Sequence, residues 1–132
     1  VDLEERNGPS RVAVVGADVV VVCGDASLKG IHALIRTERE VLGVGVDAGR
    51  VLRVVTRAPR SPRQRAELAR SIEALRSGDS TPRLSTVFLP DRRGLDLVHS
   101  VAGPLPRHLV DPVTRATSEL LSRKNQASLP AA

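Results

Sequence analysis

Aromatic side chains are nearly missing from this chain: Phe88 stands alone, with no Trp or Tyr among 132 residues. That argues against a stacking platform for single-stranded nucleic acid and against a Tyr-rich recognition surface. Cysteine is equally scarce. With Cys23 as the only one, no disulfide forms within the chain and no Cys-rich metal site is available. Its place at the end of the run Val19-Val20-Val21-Val22-Cys23 predicts a buried, small apolar side chain. His32, His99 and His108 are isolated and share no ligand spacing, which argues against a histidine metal site. No stretch approaches the roughly 18 apolar residues of a membrane span, and no signal peptide is recognisable, so a cytoplasmic protein is expected. Methionine is absent, position 1 included; either an alternative start codon at Val1 or a longer parent chain is expected.

A phosphate-binding loop is missing too. Such a loop needs glycines that let backbone amides cradle phosphate, and a lysine to neutralise it. Nothing matches G-x-x-x-x-G-K-[ST], and Lys29-Gly30, the one lysine beside a glycine, falls inside a predicted helix. Ser27, Ser61 and Ser100 sit in no G-x-S-x-G setting and have no His-Asp partnership, so no hydrolase triad is assigned.

What is present is a strand–helix alternation. Apolar residues make up 41% of the chain, dominated by Val, Leu and Ala, enough for one domain with a single core. Arg11 to Ala17 reads as a short helix or turn, and Val19 to Cys23 as a strand buried on both faces. Ser27 is placed to cap a helix from Leu28 to Leu42, in which Leu28, Ile31, Ile35 and Leu42 recur at helical spacing. On this reading Arg36, Glu38, Arg39 and Glu40 lie mostly outside. A strand over Val51 to Thr56 follows, then a helix from Pro62 to Arg76 with proline in its first turn. Leu84 to Leu89 makes a third strand, Leu95 to Val101 a short helix, and Leu109 to Ser122 a last helix before a polar tail, 123–132, expected to be disordered. Strands alternating with helices at intervals of about 33 residues fit βαβ units, whose crossovers place helices on both faces of a parallel sheet. The fold class is therefore α/β, and ligands should bind beyond the carboxyl ends of the strands, at Asp2, Gly24-Asp25, Thr56-Arg57 and Pro90-Asp91.

Charge adds a second theme. The net charge is +5, carried almost wholly by arginine, which makes an acidic partner, nucleic acid or an anionic membrane face, plausible. Arg50, Arg53, Arg57, Arg60, Arg63, Arg65 and Arg70 form a run interrupted by one acid, Glu67. Arg57, Arg60 and Arg63 flank a strand-end loop, where guanidinium groups suit phosphate oxygens; the alternative is a solvated helix face. Without interleaved aromatics, nucleic-acid binding would be electrostatic and salt-sensitive.

The order of pieces resembles the second half of the ParA/MinD/CpaE ATPases. The residues that carry the resemblance are the apolar-Asp-apolar start Val1-Asp2-Leu3, the strand that begins ADVVVV, the strand VLRVVTR, the segment VFLPDRR, and GLDLVHSVAGPLPRHL followed by PVTRATSELL. It covers residues 1–122, read as the carboxyl-terminal part of such a domain, and is nearest to actinobacterial CpaE-like and septum-site-determining proteins. The resemblance implies an ATP site completed by an upstream phosphate loop, with Mg²⁺ contacted through water by Asp2. Thr56-Arg57 takes the place of the family's adenine-contacting Asn-Arg pair, with Thr for Asn, and Pro90-Asp91 lies in the loop beside the base. Glu4-Glu5-Arg6-Asn7 stands where the family has Pro-Gly. The implied role is positioning of septum, chromosome or secretion machinery, with nucleotide-controlled homodimers that engage DNA or a protein partner, in the cytoplasm or peripherally at membrane or nucleoid. Hydrolysis by this chain alone is not expected. The rival readings are a non-catalytic basic binding module and, last, a receiver-like signalling domain.

Overall fold

The computed structural model describes residues 9–76, 83–91 and 104–127. Within them the order is α1 (Pro9–Gly16), β1 (Val20–Asp25), α2 (Leu28–Gly43), a single 3₁₀ turn (Ala48–Arg50), β2 (Val51–Ala58), α3 (Pro62–Leu75), β3 (Ser85–Pro90) and α4 (Arg107–Ala127). The Val1-Asp2-Leu3 strand end and the helix expected over Leu95 to Val101 lie outside the described residues.

The expected α/β class is what forms. Three parallel strands lie in the order β1-β2-β3, with Val20 opposite Val51 and Leu52 opposite Ser85. Because both crossovers step in the same direction, right-handed connections lay α2 and α3 on one face. There Val22, Ile31, Leu34, Ile35, Val51, Val55 and Ile72 form the larger core, with Phe88 packed against it. The opposite face is covered by α4, where Leu120 buries with Leu52, Val54 and Val87. Each such Val or Leu contributes about 1.5–3 kcal/mol by leaving water. Pairing alternates along β2, so Leu52 and Val54 point to α4 while Val51 and Val55 point to α2 and α3.

Three expectations need correction. The valine strand is not buried on both faces: Val21 is 44% exposed and Cys23 is exposed, while Val22 between them is buried. Among the described residues β1 and β3 are the edge strands, and α4 lies mainly over β2, β3 and the turn before β2, leaving Val21 and Cys23 of β1 exposed. Cys23 is thus a partly open edge residue and not a core filler. The last helix also runs past 122. It continues to Ala127, and Lys124 in its final turn pairs with Asp18 just before β1, so the expected tail is helical over residues 123–127.

Candidate functional site at the carboxyl edge of the sheet

The carboxyl ends of the strands meet around one distorted point. Asp25 ends β1 opposite Thr56 of β2, and the Ala26 amide donates to the Thr56 carbonyl at 3.0 Å, extending the ladder past the strand end. Thr56 Oγ1 donates back to the Gly24 carbonyl at 3.4 Å. Beyond Val55, β2 carries an extra residue: Val55 pairs with Phe88 but Ala58 with Pro90. The bulge falls on Thr56-Arg57, and Arg57 has φ +52°. Left-handed backbone at a non-glycine residue costs about 1–2 kcal/mol, and bulges re-aim side chains next to binding sites. Arg57 is exposed.

Asp25 and Ser27 build the neighbouring corner. Asp25 Oδ1 accepts from the Ser27 amide at 2.9 Å and from the Ser27 hydroxyl, while Ser27 Oγ accepts from the Gly30 amide at 3.0 Å as the α2 cap. The Ser27 hydroxyl, then the Ser27 amide, then the Arg57 charge hold the Asp25 carboxyl below the ordinary aspartate range. The corner closes only because Gly30 has no side chain: a Cβ there would lie 2.1 Å from Asp25 Oδ1. The sequence carried a signal for this arrangement, since Asp-x-Ser ahead of a helix is a side-chain turn and cap. It has a consequence for ligands. At the start of α2, where amides would otherwise greet an anion, the Ser27 amide is already taken by the Asp25 carboxylate and the Gly30 amide by the Ser27 hydroxyl.

Thr56, Arg57, Pro90 and Asp91 reach the same edge, and Arg60 joins them by donating to the Asp91 carbonyl at 3.3 Å. Arg63 stands apart, exposed on α3 and paired with Glu67 at 3.5 Å. Asp2, chosen both for nucleotide and for Mg²⁺, lies outside the described residues. The described residues bring no three His, Cys, Asp or Glu side chains together to hold a metal ion. The edge presents an exposed guanidinium and backbone groups around a bulge. It does not fit the phosphates of a nucleotide, for which the described residues offer no amide cradle.

The arginine run is not one surface. Arg50 donates to the carbonyls of Val15, at 2.8 Å, and Ala17, and Arg65 to that of Pro59 at 2.6 Å. Arg53 is 2% exposed. It forks onto Glu38, with Nη2 at 3.0 Å from Oε2, and lies 3.5 Å from Glu73. Glu38, read above as an outward residue, is 1% exposed. The helical period could have revealed it, because Ile31, Leu34 or Ile35, Glu38 and Val41 fall on one stripe. Arg76 completes the group, 3.5 Å from Glu38 and 3.1 Å from Glu73.

Fold and site together define a parallel-sheet α/β protein with a distorted, partly basic carboxyl edge. No family model, curated protein or solved structure matches the chain. Among the described residues no helix is long and apolar enough to cross a membrane.

Proposed function

We propose that this chain is the carboxyl-terminal portion of a nucleotide-switch ATPase of the ParA/MinD/CpaE kind, serving to position septum, chromosome or secretion machinery. The observation that carries the reading is the Thr56-Arg57 bulge, with its left-handed arginine at the carboxyl end of the central strand. Thr56, Arg57, Pro90 and Asp91 would border the base. The phosphates and Mg²⁺ would be held by a glycine-lysine loop from another segment, with Asp2 contributing to the metal through water. Bound ATP would then supply the switch that governs homodimerisation and the engagement of DNA or a protein partner. In this arrangement the chain's own residues orient the nucleotide and leave phosphoryl transfer to the other segment.

The test is titration of the full native chain, Mg²⁺ present, with a fluorescent ATP analogue, wild type against Arg57→Gly. Glycine accepts φ +52° without strain, so the variant should keep or gain up to about 1 kcal/mol of stability. It should nevertheless bind the analogue about tenfold more weakly. Equal affinity in the two proteins removes the edge from the nucleotide site. No binding at all by the native chain ends the ATPase reading.

A second reading is a non-catalytic basic binding module. It is favoured by the Asp25 carboxylate, which occupies the helix start an anion would need, and by exposed Arg57, Arg60 and Arg63. It calls for salt-dependent DNA or partner binding with no nucleotide effect, weakened by replacing those three arginines with alanine.

A further inference from the structure

The opposite end of the sheet carries a separate basic cavity. It is about 340 Å³ in volume and is lined by Asp47, Arg50, Arg83, Leu120, Arg123 and Lys124, among others. Its residues come from three elements that the fold forces together. The parallel register sets Leu52 opposite Ser85, so Arg50 and Arg83, each two residues upstream, stand side by side at the amino edge of β2 and β3. The final turns of α4 then bring Arg123 and Lys124 over them, anchored by buried Leu120.

The charges in this cavity are only partly answered. Lys124 is paired with Asp18, and the Asp47 carboxylate accepts from the Gly49 amide at 2.8 Å. Arg83 and Arg123 are exposed and enter no ion pair among the described residues. Arg50 is held by two carbonyls through one nitrogen, yet its Nε is buried with no acceptor among the described residues. A buried donor without an acceptor is a costly arrangement. Among the described residues, setting Asp18 and Asp47 against Arg50, Arg83, Arg123 and Lys124 leaves an excess of two positive charges. That matches a dianion, and guanidinium forks suit phosphoryl oxygens.

We infer that this amino-edge cavity binds the phosphoryl group of a small phosphorylated ligand, with Arg50, Arg83 and Arg123 as the principal donors. The site lies at the other end of the strands from Thr56-Arg57 and does not rest on the nucleotide-switch reading.

Calorimetric titration of the full chain with inorganic pyrophosphate tests it, alongside flotation with vesicles containing phosphatidic acid. The test variant is Arg83→Gln with Arg123→Gln, both exposed and therefore compatible with folding. Arg36→Gln with Arg115→Gln, also exposed, removes the same net charge elsewhere. Wild type should bind pyrophosphate saturably, and the test variant should lose at least about tenfold in affinity while the control keeps it. Vesicle recruitment lost in the test variant alone would assign the phosphoryl group to a lipid headgroup; no recruitment, with pyrophosphate binding intact, assigns it to a soluble ligand. Equal losses in test and control variants, no saturable binding by wild type, or binding only to duplex DNA with the same salt dependence in both variants overturns the inference.

Discussion

Replacing Glu38 by Gln should be among the most damaging single changes this fold can suffer. Glu38 lies between two buried guanidiniums, Arg53 at 2% and Arg76 at 5% exposure. Its removal as a charge leaves Glu73, which is 32% exposed, as the carboxylate that both cations still share among the described residues. Breaking a buried ion pair by removing one partner costs about 3–5 kcal/mol. The shared geometry places Glu38→Gln toward the top of that range. Arg53→Met should cost less, about 3 kcal/mol, because Glu38 then keeps Arg76 at 3.5 Å and the methionine stem still packs against the sheet. With total stability of about 5–15 kcal/mol expected for such a domain, either loss is large. Equilibrium urea unfolding reads it directly: at a slope of about 2 kcal/mol/M, Glu38→Gln should lower the midpoint by about 2 M. The double variant should cost less than the two single losses added together. A midpoint shift under about 0.5 M for Glu38→Gln, or a larger loss for Arg53→Met than for Glu38→Gln, refutes the reasoning.

The Asp25 corner makes a pH prediction. Its carboxyl is held low in the folded chain, chiefly by the Ser27 hydroxyl, so the unfolded chain binds the proton more readily. The stability it contributes is complete above the ordinary aspartate value of about 3.9 and is lost as pH falls through the lower folded value. Carboxyl-detected NMR should place the Asp25 midpoint below that value, and Ser27→Ala should raise it while costing about 1 kcal/mol through the lost cap. An unmoved midpoint would remove Ser27 as the cause. Cys23 offers a test of the open edge: burial pushes its thiol up, yet the residue is exposed. Maleimide should label it slowly but to completion in the native state, faster as pH rises; labelling that requires denaturant would mean that β1 is covered.

Local sequence settled the kind of fold and most element positions. Three apolar runs between glycine and proline breaks, with caps such as Ser27, can satisfy their backbone only as strands and helices in alternation. That is why the parallel α/β class and the edge holding Thr56, Arg57 and Pro90-Asp91 could be read without coordinates. Tertiary structure decided what no local pattern encodes. Periodicity tells how a residue faces its own element but not whether a second layer arrives, so Cys23 looked buried and is exposed on an edge strand. Glu38 looked solvated because charge alone suggests water; it is buried because Arg53 supplies its counter-charge across 15 residues of chain. The pairing of Arg50 with Arg83 and the α4 cations depends on strand register and on where the last helix docks. Both are products of packing between distant segments, and only the folded chain brings those segments together.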